Sequence, residues 1–282
     1  MNTNTMNNDV NNSRQSHFAF IAGVVSALAV VAIIGFAFCV GMWFAGKKAR
    51  NNDKEKIGAI QRDIHDAYDK VQLWEGGPYW ATKNIGADKP EDSGYYFWWG
   101  DTVGYKREGG SWVASDRSNS NFSFSHVAFN KWHETRICKK RCSEAESEGW
   151  IEKKNGTYVL TSKHDAARVH WGGNWRMPTE EELDDLIRKC EWTWCKKRGR
   201  NGYFVSGKGD HASKGIFLPA TGFGEEESLV DFDSGGGYWS SDWENELSAW
   251  ELGLKSRERI GYMNATLYSF GLPVRPVQGF TK

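Results

Sequence analysis

The sequence has no excess of charge of either sign, because 36 Lys and Arg residues balance 36 Asp and Glu residues and the formal net charge is +0. A nucleic-acid-binding surface needs a surplus of basic residues, so bulk charge gives that function no support and no nucleic-acid partner is expected. The composition, 39% hydrophobic and 26% charged, is that of a globular chain and not of a disordered one.

The residue patterns of catalytic and metal sites are also missing. No Ser-His-Asp order and no glycosidase carboxylate pair can be singled out, and the seven His are scattered, with His164 and His170 lacking metal-ligand spacing. The acidic residues between 225 and 233 could offer oxygen ligands to calcium, but they lack the spacing of a defined calcium loop and read as a solvated loop. The sequence therefore predicts no enzyme, no metal and no cofactor.

Cysteine is scarce, with five residues, of which Cys39 lies in an apolar run. The others form two close pairs, Cys138 with Cys142 and Cys190 with Cys195. In an exported domain four cysteines allow three disulfide connectivities, and these two pairs are the simplest. A zinc site is disfavoured because the usual two-residue spacing is absent. In a cytoplasmic domain, free thiols are the expectation.

One long apolar run is present, since residues 18–46 contain no charged side chain. As a helix these 29 residues would span roughly 43 Å, more than the ~30 Å of a bilayer's hydrocarbon. The run is too long for a cleaved signal peptide, and Phe36 and Phe38 before Cys39 do not suit a lipoprotein signal. We expect a transmembrane helix at residues 17–46, preceded by a disordered tail at residues 1–16.

After this run, apolar residues recur at alternating spacings of three and four: Ile57, Ile60, Ile64, Ala67, Val71 and Trp74. This seam predicts a helical stalk over residues 47–74, which would make the protein a homo-oligomer through residues 57–74. The alternative is an amphipathic helix that packs on its own domain or lies on the bilayer.

Residues 75–282 contain most of the 15 Trp and 31 Gly of the chain, which suggests a loop-rich fold with aromatic clusters. Ser162 with Asp165 resembles a capping box for one helix that Gly172 would end, and Thr179 with Glu182 predicts a second. The second helix carries Leu183, Leu186, Ile187 and Cys190 on one face. Strands are predicted at residues 203–205, 215–218, 238–239, 247–254 and 272–277. Two short helices beside many short strands indicate an α+β domain.

An ordered series of motifs is specific to a known family. The series comprises residues 80–82, 84–87, 90–92, 95–101 (YYFWWGD), 165–167, 171–179 (WGGNWRMPT), 190–194 (CEWTW), 217–220 (FLPA), 238–241 (YWSS) and 271–277 (GLPVRPV). Over residues 71–277, less clearly over 102–161, the chain resembles the Fibrobacter succinogenes major paralogous domain family. The resemblance implies a C-type lectin-like fold, usually exported in bacteria, with an unknown ligand. Most motif residues are expected to be scaffold.

The chain departs from better-known members of this fold. The Glu-Pro-Asn or Gln-Pro-Asp loop of calcium-dependent sugar binders is absent from the sequence. Residues 242–245 (DWEN) resemble the Trp-Asn-Asp strand of those proteins only weakly. Residues 172–175 (GGNW) resemble the start of a formylglycine-generating enzyme segment, but Met177-Pro178-Thr179 leads into a capped helix instead. Neither calcium-dependent sugar binding nor catalysis is therefore expected.

In the lectin-like fold, residues 243–268 form much of the ligand-facing surface, and Tyr, Trp and Arg supply binding energy at low entropic cost. Trp250, Leu252 and Leu254 are expected in the core. The remaining candidates for ligand binding are Trp243, Asn245, Arg257, Arg259, Tyr262, Asn264 and Tyr268.

The expected function is a membrane-anchored surface module that binds an unknown protein or glycan. Two alternatives stay open: a structural, fibre-like surface protein, or a variable protein of a diversity-generating retroelement. The orientation in the membrane is also open, because Lys47, Lys48 and Arg50 favour a cytoplasmic domain by the positive-inside rule, whereas the cysteines and the family resemblance favour export. We expect a single-pass protein of a bacterial membrane with an exported C-terminal domain.

Overall fold

The computed structural model describes residues 70–117, 123–124, 142–256, 258 and 260–279. The chain divides into two compact units, residues 1–63 and 64–282, and all described residues belong to the second. The predicted tail, the transmembrane helix and the stalk up to residue 69 lie outside the described residues, as do Cys138, Arg257 and Arg259. Within the described part of the chain, no helix has the length and apolar character needed to cross a membrane.

The described residues form sixteen strands and three short α-helices, which confirms the α+β class. The strands are β1 (Lys70–Gln72), β2 (Tyr79–Ala81), β3 (Tyr105–Glu108), β4 (Ser111–Ala114), β5 (Ile151–Lys154), β6 (Thr157–Leu160), β7 (Trp175–Arg176), β8 (Glu191–Lys197), β9 (Arg200–Ser206), β10 (Gly215–Pro219), β11 (Phe223–Glu225), β12 (Ser228–Val230), β13 (Gly235–Trp243), β14 (Ser248–Lys255), β15 (Tyr262–Leu267) and β16 (Val277–Gln278). The helices are α1 (Cys142–Ser147), α2 (Ala166–Trp171) and α3 (Glu180–Lys189), of which α1 was not predicted.

The strands form three sheets and two hairpins. The largest sheet has the order β15-β14-β13-β6-β5, a second has β1-β2-β16-β7, and a third has β10-β9-β8. The pairs β3–β4 and β11–β12 stand as separate hairpins. All paired strands run antiparallel. Antiparallel pairing lets short strands follow one another through tight turns, which fits the many glycines.

Two buried clusters lie on opposite faces of β13 and β14. Tyr238, Leu252 and Leu254 belong to a cluster that also includes Leu183 and Leu186 of α3. Trp239 and Ala249, which point the other way because side chains alternate along a strand, belong to a larger aromatic cluster. Leu252 and Leu254 are buried as predicted, whereas Trp250 is only half-buried.

The capping box of α3 is confirmed. The hydroxyl of Thr179 accepts a hydrogen bond from the backbone N–H of Glu182 at 3.2 Å, and the carboxylate of Glu182 accepts one from the N–H of Thr179 at 3.0 Å. Leu183 and Leu186 are buried, as the apolar face of this helix predicts.

The predicted start of α2 was wrong by three residues. Asp165, not Ser162, is the N-cap, and its carboxylate accepts from the N–H of Arg168 at 2.9 Å. Asp165 directly precedes the first helical residue, so its side chain can reach the free N–H groups of the first turn. Gly172 ends the helix with φ 66°, as predicted.

The predicted helical stalk is wrong at its C-terminal end. Val71 lies in β1 opposite Trp80 of β2, and the ring of Trp74 lies 6.4 Å from that of Trp80. Leu73, between them, is fully buried in the core. Val71 and Trp74, the last two residues of the predicted helical pattern, therefore belong to the folded domain and not to a helix. The other residues of that pattern lie outside the described residues.

The predicted strand over residues 272–277 is mostly an extended segment without regular pairing. Pro273 and Pro276 have no N–H to give to a ladder, and only Val277 enters β16. The segment is fixed instead by Arg275, which is 1% exposed and donates to three oxygens. These are the side-chain oxygen of Asn84 at 2.8 Å and the carbonyl oxygens of Ala81 at 3.1 Å and Phe217 at 2.9 Å.

Candidate ligand-binding site

Two facing glycines create a depression on one face of the largest sheet. Gly237 of β13 pairs with Gly253 of β14. A Cβ atom on Gly237 would lie 1.8 Å from Oε2 of Glu251, and one on Gly253 would lie 2.6 Å from the ring of Tyr262. Only glycine at both positions leaves room for these two side chains to lie flat on the sheet.

Glu251 is the most unusual residue of this depression. It is 7% exposed, and its Oε1 accepts hydrogen bonds from Nδ2 of Asn264 at 3.0 Å and from the hydroxyl of Thr266 at 2.7 Å. No donor among the described residues reaches its Oε2, which lies above Gly237. Burial raises the pKa of Glu251, while the bonds from Asn264 and Thr266 and the charge of Lys255 act against that rise.

A cavity of about 290 Å³ opens on this carboxylate. Tyr262, Asn264 and Thr266 line it from β15, because residues two apart project from the same face of a strand. Lys255 of β14 places its ammonium group 5.6 Å from the ring centre of Tyr262. The cavity therefore combines a carboxylate, an ammonium group, a phenol, a carboxamide and a hydroxyl.

The other side of the cavity is apolar. Phe223 and Phe270 both line it and contact each other edge to face, with ring centres 5.3 Å apart. Burial raises the pKa of Tyr262, the charge of Lys255 opposes that rise, and the carboxylate of Glu251 adds a smaller raising effect. The phenol of Tyr262 therefore stays protonated at neutral pH and can donate a hydrogen bond.

Of the ligand-binding residues predicted from sequence, Tyr262 and Asn264 meet in this cavity. Trp243 lies elsewhere, half-buried against Trp99 at 6.1 Å between ring centres. The prediction for Tyr268 was wrong, because this side chain is fully buried and stacks on Trp99 with ring centres 5.0 Å apart. Tyr268 directly follows the last residue of β15 and belongs to the buried aromatic cluster.

Asn245 is exposed, but its side chain organises the turn between β13 and β14. Its Oδ1 accepts from the backbone N–H groups of Leu247 at 2.8 Å and Ser248 at 3.1 Å. Its own carbonyl accepts from the hydroxyl of Tyr268. These bonds are typical of an Asx turn, which is a structural role.

The sequence reasoning missed Glu251, Lys255 and Thr266. A signal was available for Glu251. If Leu252 and Leu254 face the core, Glu251, which directly precedes Leu252 in the same strand, must face the opposite side. What the sequence does not contain is the register that sets Glu251 beside Asn264 and Gly253 beside Tyr262.

The predicted Cys190–Cys195 disulfide is absent. Cys190 ends α3, and Cys195 lies five residues further along the extended strand β8, so the two Cα atoms are roughly 16 Å apart. A disulfide needs Cα atoms within about 7 Å. Cys142, Cys190 and Cys195 are free thiols, and burial raises the pKa of Cys190 to about 12.

Three other cavities of the described residues are larger, with volumes of about 380, 390 and 620 Å³, and in two of them charged side chains are already paired. A groove of about 380 Å³ beside α3 is lined by Asp185, Arg188 and Lys189, and Asp185 pairs with both cations at 2.8 and 2.7 Å. A shallow basic cavity of about 620 Å³ is lined by Lys70, Lys154, Arg168 and Arg176. Of these, Arg176 pairs with Glu182 at 2.5 Å. None of the three presents a carboxylate of a buried residue with an oxygen that lacks a donor, as Glu251 does, so the cavity at Glu251 is the stronger candidate.

Among the described residues, no three His, Cys, Asp or Glu side chains converge as a metal site. Asp233 of the acidic run has a structural role, since its carboxylate accepts from the backbone N–H of Asn201 at 2.7 Å.

Comparisons with protein families, with curated proteins and with solved structures found no match to this chain.

Proposed function

We propose that this protein is a membrane-anchored surface module that binds a protein or glycan ligand through the cavity at Glu251 on the C-terminal part of its domain. The proposal includes the C-type lectin-like fold that the motifs imply, the transmembrane anchor at residues 17–46, and an exported domain in a bacterial membrane. The observation that carries it is the carboxylate of Glu251, a residue 7% exposed, whose Oε2 faces the cavity and has no donor among the described residues.

The hydrogen-bonding pattern of Glu251 favours a binding role for this residue over a structural one. A carboxylate retained only for structure would be expected to satisfy both oxygens, as Glu182 does with Arg176 at 2.7 and 2.5 Å. A ligand that donates to Oε2 of Glu251 would satisfy the oxygen that the described residues leave without a donor.

The cavity is also rigid before any ligand enters. Asn264 is held by Glu251 and also by Thr266, with 3.1 Å between Nδ2 and the hydroxyl oxygen. The ring of Tyr262 lies against Gly253. Side chains that are already ordered lose little entropy when they bind, which increases affinity.

Two other functions remain as alternatives. A fibre-like structural protein would use the predicted stalk, of which residues 47–69 lie outside the described residues, to form a homo-oligomer without a diffusible ligand. A variable protein of a diversity-generating retroelement would use the same face with residues that differ between isolates. The fibre-like protein gives the donor-free oxygen of Glu251 no role, whereas a variable protein would use it for a ligand.

Binding of the full chain to the immobilised envelope fraction of its source bacterium tests the proposal. The variant Tyr262→Ala with Asn264→Ala should bind at least tenfold more weakly, since two lost polar contacts of about 1 kcal/mol each exceed the 1.4 kcal/mol of a tenfold change. The matched control is Tyr79→Ala with Asn174→Ala, two exposed residues outside the cavity. Equal binding by the wild type and the cavity variant would refute the proposal.

A membrane-impermeant protease added to intact cells and to spheroplasts tests the location. Cleavage of the domain in intact cells supports export. Protection until the membrane is lysed would place the domain and its ligand inside the cell.

A further inference from the structure

We infer that the shallow basic cavity is a second binding site, and that it binds the phosphate group of an organic phosphate through Arg168 and Lys70. The basic cavity and the cavity at Glu251 share no lining residue, so this second site is independent of the proposed function.

The charged residues that line the basic cavity all have the same sign. Lys70 of β1, Lys154 of β5, Arg168 of α2 and Arg176 of β7 contribute four cations, and no Asp or Glu is found among the described lining residues. The whole chain has a formal net charge of +0, so this concentration of cations is not a consequence of overall composition. A concave surface lined by cations attracts anions.

Two of the four cations contribute little to this attraction. Arg176 donates to both carboxylate oxygens of Glu182, at 2.7 and 2.5 Å, so the pair is close to neutral. Lys154 lies 3.8 Å from Glu152, and both side chains are more than half exposed, so water and salt screen the charge of Lys154. Most of the attraction therefore comes from Arg168 and Lys70.

Arg168 brings a guanidinium group that makes no hydrogen bond or ion pair with the described residues. The side chain is half-buried, and the hydrogen bonds of this residue are made by its backbone N–H and carbonyl groups. The carboxylate of Asp165 attracts the guanidinium group through space, but its oxygens accept from the backbone N–H groups of Arg168 and Met177. A guanidinium group can donate to two oxygens of one anion at once.

Lys70 is exposed, but its ammonium group is held in place. It donates to Oε1 of Gln278 at 2.6 Å, and Gln278 is 6% exposed. An ammonium group has three N–H donors, so others remain for a ligand. A cation that is already positioned loses less entropy on binding than a freely moving surface lysine.

The origin of these cations in different elements favours phosphate over carboxylate. A carboxylate offers two oxygens in one plane, whereas a phosphate monoester offers three and carries a charge of about −1.5 to −2 at pH 7. It can accept from the guanidinium group of Arg168 on α2 and from the ammonium group of Lys70 on β1 at the same time. A volume of about 620 Å³ also leaves room for the organic group that bears the phosphate.

The remaining lining residues are neutral. Of these, Tyr79 and Asn174 are exposed and are not assigned to phosphate binding. A soluble organic phosphate and a phospholipid headgroup of the membrane that the predicted helix at residues 17–46 would enter present the same chemistry to the cavity.

Titration of the full chain with phenyl phosphate in a non-ionic detergent at physiological salt, followed by ³¹P NMR, tests the site. We expect saturable binding, and binding of benzoate at least tenfold weaker, because benzoate carries one charge on two oxygens. Arg168→Gln should weaken phenyl phosphate binding at least tenfold, since it removes hydrogen bonds between two charged groups. Lys70→Gln should weaken it several-fold.

The matched control is Lys214→Gln, which removes an exposed cation outside the basic cavity and should leave binding unchanged. No binding by the wild type, equal binding by wild type and Arg168→Gln, benzoate binding as tight as that of phenyl phosphate, or an equal loss in Lys214→Gln would each overturn the inference. The probe is a soluble phosphate and not the envelope fraction, so the result does not depend on binding at Glu251.

Mixed micelles distinguish the two sources of phosphate. If a headgroup is the ligand, phosphatidylglycerol added to the detergent should displace phenyl phosphate from the wild type, whereas phosphatidylcholine should not. Unchanged binding with phosphatidylglycerol would assign the site to a soluble organic phosphate.

Discussion

Asp242 gives the domain a pH-dependent stability that can be measured directly. It lies in β13, is 5% exposed, and its Oδ2 accepts from the N–H of Glu180 and from the hydroxyl of Ser241, both at 3.0 Å. Burial raises its pKa to about 6 from an ordinary 3.8, and the carboxylates of Glu180 and Glu182 at the start of α3 add to the rise. The two hydrogen bonds act in the opposite direction.

The size of the effect follows from this shift. A change from 3.8 to about 6 is roughly two units, which corresponds to about 3 kcal/mol in the free energy of unfolding. Because the folded protein holds this proton more tightly than the unfolded chain, the contribution is fully present below pH 3.8. It is lost as the pH rises through about 6.

The variant Asp242→Asn isolates this contribution, since other buried carboxylates such as Asp165 titrate in both proteins and cancel. We expect the stability of the variant relative to the wild type to increase by about 3 kcal/mol between pH 4 and pH 7. Urea unfolding followed by tryptophan fluorescence at several pH values measures it. Asp210→Asn, at an exposed position, is the control and should show no such change. A difference between Asp242→Asn and wild type that stays constant with pH would refute the reasoning.

Three further predictions concern the scaffold. Thr179→Ala should lower the free energy of unfolding by about 1 kcal/mol in urea titrations, because it removes one bond of the capping box, and an unchanged value would contradict the cap. Arg275→Lys should cost about 3 kcal/mol in the same assay, because one ammonium group cannot reproduce the guanidinium bonds to three separate oxygens, and a neutral result would argue against them. Iodoacetamide at pH 8 should alkylate Cys195 at least tenfold faster than Cys190, whose buried thiol has its pKa raised to about 12, and mass spectrometry showing equal rates would be inconsistent with this burial.

Helix ends and core positions could be predicted from the sequence where a few adjacent residues determine the structure. The bonds of the Thr179 capping box span three residues, and Gly172 ends its helix by a conformation of its own backbone. Alternation likewise placed Leu252 and Leu254 in the core. In each case the interaction that fixes the structure lies within the pattern itself.

The pairing of strands that are distant in the sequence could not be predicted. Val71 is apolar at helical spacing, yet its partner is Trp80, and β2 in turn pairs with β16 about two hundred residues away. The same limit applies to the candidate site. Tyr262 and Asn264 could be selected by residue type, but the importance of Glu251 depends on which side chains the register sets beside it.

The second sheet also bears on how the domain can be used. β1 and β16, the first and last strands described, both pair with β2, and the ammonium group of Lys70 donates to the side-chain oxygen of Gln278 at 2.6 Å. The chain thus enters and leaves the domain at neighbouring points. A domain with adjacent ends can be spliced into a surface loop of a host protein without separating the strands of either partner. The fold is accordingly suited to transplantation as a self-contained domain.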